Sequence, residues 1–330
     1  MINEDPGSTG TGSMKAFIAA VIIVTITVGI NVAAAGQLVT AKNIDIKRVR
    51  THVHTLAGDI GERNLFRPLA LHRAAAYIER VWREQGYAVT RHEYTVQGET
   101  GANLEVTREG TDPSAGILIV GAHYDSVIGS PGANDNGSGV SALLEIARHF
   151  STYAPARTVR FIAFVNEEPP FFKTRDMGSR AYVAMARARG DDIRAMICFE
   201  TIGYYSDSAE SQHYPPLFNL FYPDAGNFIG FVSNFRSRAL LKESVSAFRA
   251  ASDFPLEYIS TFAFIPGVDW SDHWSFWRDG IPAIMVTDTA PYRYPYYHSA
   301  RDTPDKVSYK ELTRVIGGLL AMVSRLADSR

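Results

Sequence analysis

Four short, nearly unbroken apolar runs, separated by stretches with helical periodicity, constrain this chain more than any other feature. They are Gly116-Ile-Leu-Ile-Val-Gly-Ala-His123, Thr158-Val-Arg-Phe-Ile-Ala-Phe-Val165, Ile193 to Phe199, and Ile281 to Thr287. Runs of this length without polar alternation suit strands covered on both faces. Between the first and second, Val140, Leu143, Leu144, Ala147 and Phe150 recur on one helical face; between the second and third, Gly178 to Arg189 reads as a helix. This alternation predicts an α/β fold, a three-layer sandwich whose central, mostly parallel mixed β-sheet carries helices on both faces. Upstream, residues 43–85 read as helical with Gly86 as a stop, and Ala88 to Val96 and Asn103 to Val106 read as further strands.

The chain has 330 residues, 46% of them hydrophobic, and a formal charge of −2. A near-neutral balance, with only the short Lys47-Arg48-Val49-Arg50 patch as a basic cluster, argues against nucleic acid as a partner. The single cysteine, Cys198, sits in an apolar run and reads as a buried small hydrophobe. Residues 1–13 read as a flexible leader. Met14-Lys15 then precedes an apolar stretch from Ala16 to Ala35 closed by small residues. Residues 14–36 therefore fit a signal peptide, and equally a retained membrane anchor of about 20 residues. Either implies export, to the periplasm, the exterior or an anchored position with an external domain. No Pro/Ser/Gly linker divides residues 40–330, which are expected to form one domain; Tyr204 to Pro223, rich in Tyr, Pro and Phe, reads as a surface excursion able to wall a pocket.

In open α/β sheets, ligands bind beyond the carboxyl ends of the strands. His123 and Asp125 end the first central run, Glu167 and Glu168 the second, and Glu200 the third, while Asp135 lies in the glycine-rich loop after the first. Alone, Asp135 is an ordinary turn aspartate and Glu167-Glu168 a solvated acidic pair. Together they place several carboxylates and an imidazole at one sheet edge, a donor set suited to a zinc-type divalent metal. Two histidines with three or more acids suffice for two ions sharing a bridging carboxylate. The adjacent glutamates then divide naturally into one ligand and one general base.

The motifs Gly121-Ala-His-Tyr-Asp-Ser-Val127, Pro131-Gly-Ala-Asn-Asp-Asn-Gly-Ser-Gly139, Asn166-Glu-Glu168, Gly178-Ser-Arg-Ala-Tyr-Val183, Ser271-Asp-His-Trp-Ser-Phe-Trp277 and Tyr297-His-Ser-Ala-Arg-Asp-Thr-Pro-Asp-Lys306 resemble, in order, the zinc exopeptidases of the bacterial leucyl aminopeptidase and aminopeptidase Y type. That group is related to glutamate carboxypeptidase and glutaminyl cyclase. The resemblance implies a peptidase, specifically an aminopeptidase, acting on peptides with two Zn2+ per chain. It implies His123, Asp135, Glu168, Glu200 and His298 as metal ligands, with Asp135 the bridge and with His123 and Glu200 terminal ligands of separate metals. It implies Glu167 as general base and Asp125 as the residue orienting His123. Ser271-Asp272 reads as a cap for the helix starting near His273, with a site-lining role open for Asp272 or His273; Tyr292 to Tyr297 reads as core or pocket wall. Two departures stand out: Glu200 occupies a place where the family often has Asp, and Pro169-Pro-Phe-Phe172 lengthens the turn after Glu168. A glutaminyl-cyclase-like acyltransferase working with one zinc, a non-catalytic binding ectodomain, and a hydrolase of non-peptide amides are the rival readings.

Overall fold

The computed structural model describes residues 44–329; the segments 1–13 and 14–36 lie outside them. In chain order the strands are β1 (Thr90–Val96), β2 (Glu99–Arg108), β3 (Ile117–His123), β4 (Thr158–Phe164), β5 (Ile193–Glu200), β6 (Ile229–Asn234), β7 (Leu256–Thr261) and β8 (Ala283–Thr287), joined in one sheet of order β1-β2-β4-β3-β5-β8-β6-β7. The four apolar runs supply the parallel centre, β4-β3-β5-β8. β2 joins β4 antiparallel at one side, and β6 joins β8 antiparallel at the other, with β7 parallel to β6. The expected mixed, mostly parallel sheet is present.

Side-chain alternation along these strands builds two cores. Leu118, Val120 and Ala122 of β3 pack on the face shared with helices α1 (Ile46–Val53), α2 (Pro68–Glu84), α3 (Gly137–Phe150), α5 (Arg238–Ala251) and α8 (Tyr309–Asp328). Ile119 points the other way, with Ile162, Phe164, Met196 and Cys198, onto α4 (Gly178–Arg189) and α6 (His273–Arg278). Cys198 is fully buried, as its apolar run predicts. Each fully buried Leu, Ile, Val or Phe contributes roughly 1.5–3 kcal/mol relative to exposure, so the doubly covered strands are the natural anchor for groups at their ends. Gly121 is required here: a β-carbon would run into the Phe164 ring on β4.

The single helical stretch expected over 43–85 is broken. After α1 the chain widens into a π-helical turn, His54–Ile60, and stops at Gly61 with φ +81°. Helix α2 restarts with Pro68 at its first turn, a position where the missing N–H costs nothing. The break delivers Arg63 and Asn64 to the loops bearing the acidic residues. Among the described residues, no helix is long and apolar enough to cross a membrane.

Candidate metal centre

His123 is the last residue of β3 and Glu200 the last of β5. Glu167 and Glu168 follow β4 after Asn166, whose left-handed φ of 59° turns the chain across the sheet edge. Asp135 lies just before α3, whose cap Asn136 accepts from Gly139 N and Thr201 N and donates to Phe199 O, tying the loop to the end of β5. His298, in the loop after α7 (Ala290–Arg293), stacks on Tyr297 with ring centroids 3.8 Å apart. The seven residues anticipated from the sequence lie together in one connected cluster.

Asp135 divides the centre. Its Oδ1 lies 3.3 Å from His123 Nε2, which is 3.3 Å from Glu200 Oε2. Its Oδ2 lies 3.1 Å from His298 Nε2, which is 3.2 Å from Glu168 Oε2. Two three-residue clusters thus share one carboxylate, His123/Asp135/Glu200 and Asp135/Glu168/His298. The expectation that His123 and Glu200 serve separate metals is corrected: they face the same Asp135 oxygen, because neighbouring parallel strands β3 and β5 deliver both to one side of the loop. Glu167 Oε2 stands 3.9 Å from His123 Nε2 and its side chain is nearly buried.

Asp125 does more than orient an imidazole. Its Oδ1 lies 3.5 Å from His123 Nδ1 and accepts from Glu167 N at 3.2 Å, while Oδ2 accepts from Glu168 N at 3.2 Å. One carboxylate therefore sets both the first histidine and the backbone of the paired glutamates. Ser271 does not cap its helix; it donates to Glu200 Oε2 at 2.6 Å, and Asp272 occupies the cap position without a side-chain bond. Asp272 and His273 are fully buried, and His273 Nε2 is 2.9 Å from Val268 O, away from the ligands.

Sequence reasoning missed the supports of the Asp135 loop. Asp302 accepts from Asn134 N at 2.8 Å, from Asp135 N at 3.0 Å and from Tyr294 OH at 2.7 Å. Asp288 accepts from Asn134 Nδ2 at 2.8 Å. Arg63, wholly buried, donates to Tyr124 O, Pro131 O and Gly132 O at 2.7, 2.5 and 2.8 Å. Asp302 stood inside a quoted motif and could have been found; Arg63 carries no such signal.

The electrostatics call for a cation. Burial pushes the Glu167 carboxyl well above the usual range, with His123 opposing and Glu200, Glu168 and Asp272 adding to the rise. Burial likewise raises Glu168 to about 7, and Glu200 upward. Desolvation works against His123 and His298, yet the surrounding carboxylates raise His123 well above its ordinary value and His298 to about 10. Asp135 resists burial and falls, held down by the two imidazoles. Among the described residues, its Oδ1 and His123 Nδ1 are buried without a hydrogen-bonding partner. Buried oxygen and nitrogen donors in such excess of negative charge fit divalent metal.

Donor clusters of this kind at the strand ends of an α/β sandwich fit the class of metal-dependent enzymes. The chain belongs to peptidase family M28, whose model matches residues 103–323, and it is therefore a metallopeptidase. It is 36% identical over 262 residues to the uncharacterized protein YfbL of Escherichia coli K12, covering 77% of this chain and 80% of that one. It is 27% identical over 227 residues to the probable aminopeptidase YDR415C of Saccharomyces cerevisiae, covering 62% of this chain and 52% of the relative, so it spans about half that protein's length. The zinc aminopeptidase BSAP from Bacillus subtilis superposes with a TM-score of 0.70 at 16% identity, covering 87% and 96% of the two chains. A glutaminyl cyclase from Fimbriiglobus ruber superposes at 0.65 and 21% identity, covering 86% and 96%. At those identities the two structures speak for the fold alone.

Proposed function

We propose that the protein is a dinuclear zinc aminopeptidase, with residues 40–330 as its catalytic domain. The observation that carries this reading is the two-faced Asp135 carboxylate, one oxygen turned to His123 and Glu200 and the other to His298 and Glu168. His123, Glu200 and Asp135 would hold one zinc, and Asp135, Glu168 and His298 the second. When bound, such ions supply Lewis acidity toward a carbonyl and lower the pKa of an adjacent water. Glu167, whose carboxylate lies within reach of one member of each cluster, His123 and Glu168, takes the proton from the attacking water and returns it to the leaving amine as the peptide C–N bond breaks. Asp125 holds Glu167 in place through the backbone N–H it accepts. The apolar segment 14–36, followed by a domain of this kind, supports export with the domain outside the cytoplasm.

The test uses purified, zinc-loaded protein with free and N-acylated peptides, with and without chelator. Cleavage of free N-termini that chelator abolishes supports the proposal; cleavage of blocked peptides alone overturns the aminopeptidase assignment. Replacing Glu167 by Gln should lower turnover about 10²–10⁴-fold while metal content holds. The cyclase reading, favoured by the shared fold, needs one cluster only; metal analysis near two equivalents per chain, with no cyclisation of N-terminal glutamine, rejects it.

A further inference from the structure

A cavity of roughly 110 Å³ is lined by Glu200 and Tyr297, beside the metal-facing residues, and by residues of β8, β6 and β7 along the sheet. Its floor follows from strand register. Glu200 of β5 pairs with Thr287 of β8, Thr287 pairs with Gly230 of β6, and Gly230 pairs with Glu257 of β7. Directly paired residues present their side chains to the same face, so this row runs from a metal ligand to a second carboxylate on one side of the sheet. Three interstrand steps of ~4.8 Å put the two ends roughly 14 Å apart along the backbone. Between them Gly230 contributes no side chain, and a β-carbon there would sit 3.2 Å from Thr287 O and 3.3 Å from Thr289 Cγ2, closing the floor.

The walls are mainly aromatic and aliphatic, with Tyr214, Phe218, Tyr222, Trp270 and Tyr292 among them. Among the described residues, Glu257 is the one carboxylate on the wall besides Glu200, and no Lys, Arg or His lines the cavity. Glu257 forms no ion pair or hydrogen bond among the described residues; its neighbour Arg249 is engaged with Leu256 O and the Tyr258 ring. Desolvation raises the Glu257 carboxyl above its ordinary value, with Arg249 pulling it back. A half-buried carboxylate without a hydrogen-bonding partner among the described residues, on the mainly apolar wall of a cavity that also reaches Glu200, suits a long aliphatic stem with a cationic tip. The stem packs on the walls and the tip meets the acid and the aromatic faces.

We propose that Glu257 is a specificity-determining residue that selects peptides whose N-terminal residue is lysine or arginine. This rests on the aminopeptidase reading, and the experiment separates the two. The kcat/KM values of lysyl-, norleucyl- and leucyl-aminomethylcoumarin are measured for the zinc-loaded wild type and for Glu257→Gln, with melting temperatures of both to verify folding. Norleucine matches the lysine stem without its charge. The wild type is expected to favour lysyl over norleucyl substrate by about tenfold or more, and Glu257→Gln to reduce that ratio by at least about tenfold. A wild type that cleaves the leucyl substrate but shows no preference for the cation overturns the role of Glu257 alone, as does a ratio unchanged in the variant. A wild type that cleaves none of the three overturns the aminopeptidase reading and this inference with it.

Discussion

Replacing Arg63 by Met removes a charge and its donors while keeping most of the side chain's volume, so its effect can be worked from the bonds it makes. The guanidinium donates to Tyr124 O, Pro131 O and Gly132 O at 2.5–2.8 Å, with longer contacts to Gly61 O at 3.3 Å and Leu56 O at 3.4 Å. Two of the three short bonds end on buried backbone carbonyls, Tyr124 O and Gly132 O, and the third on the half-buried Pro131 O; each buried one left unpaired costs about 1–3 kcal/mol. Water entering the vacated space recovers part of that, so a net loss of about 3–5 kcal/mol is expected. That is a large share of the ~5–15 kcal/mol that holds a typical domain together. At roughly 1.5–2 °C per kcal/mol for a domain of this size, the melting temperature should fall by about 5–10 °C. The loss should reach the metal centre as well, because Pro131 and Gly132 lie on the loop that carries Asp135, and Arg63 offsets the nearby charges of Asp302, Asp125, Asp135 and Glu168. Arg63→Lys keeps the charge but not a planar fork able to span these carbonyls, and should recover only part of the stability. The assays are melting, bound zinc by mass spectrometry, and kcat/KM. An Arg63→Met protein that melts within about 2 °C of wild type would refute the claim that this guanidinium holds the loop.

Asp125→Asn leaves one amide nitrogen facing a backbone N–H or the imidazole, and should weaken zinc affinity about 10–100-fold in a chelator-competition titration; unchanged affinity removes the positioning role. His298→Ala strips the cluster formed with Glu168 and Asp135 and should lower bound metal from about two equivalents to about one; simultaneous loss of both ions would mean the clusters do not fill independently. Burial depresses His273 from 6.5 to about 4. The unfolded chain therefore takes up that proton first, and about 3 kcal/mol of stability, fully present above pH 6.5, is lost as pH falls toward 4. His273→Asn should flatten that acid limb in urea unfolding, and an acid limb of unchanged steepness counts against the assignment.

How much of the site was legible depended on whether a residue sat at a position with a mechanical meaning. His123 and Glu200 close strands, Glu167 and Glu168 follow one, and Asp135 sits among glycines before a helix, so a parallel-sheet argument alone brings them to one edge. Their partition between two clusters was not legible, because it turns on which way the Asp135 carboxylate faces. Arg63 was hidden because Gly61-Glu-Arg-Asn64 is locally polar and reads as surface; its burial comes from the break after the π-helical turn at His54–Ile60. Strands β6 and β7 were missed for a related reason. Ile229–Asn234 and Leu256–Thr261 contain Gly, Ser, Asn and Glu, and part of their side-chain surface is exposed rather than doubly covered. Helix α8 was different: Leu312, Val315, Ile316, Leu319, Leu320 and Val323 recur at helical spacing, a signal present in the sequence beyond the four runs that fixed the fold class.

The sheet order separates chemistry from selection. Strand β3 has β4 on one side and β5 on the other, and α3 and α4 pack on opposite faces. This is the reversal of strand order that opens a crevice at the carboxyl ends, and the groups of both clusters gather over it. The cavity instead extends over β8, β6 and β7, where β6 runs antiparallel and brings its beginning, Ile229 and Gly230, beside the end of β8. Beyond Glu200 and Thr287, which end β5 and β8, the cavity floor is therefore formed by the starts of β6 and β7, which carry none of the metal-facing residues. Substitutions at Glu257 or Gly230 can then reshape what the cavity accepts while His123, Asp135 and Glu168 keep the positions set by β3, β4 and the Asp135 loop. Glu200 is the one residue common to both regions, and the bond it accepts from Ser271 fixes a carboxylate that faces the Asp135 cluster and also lines the cavity.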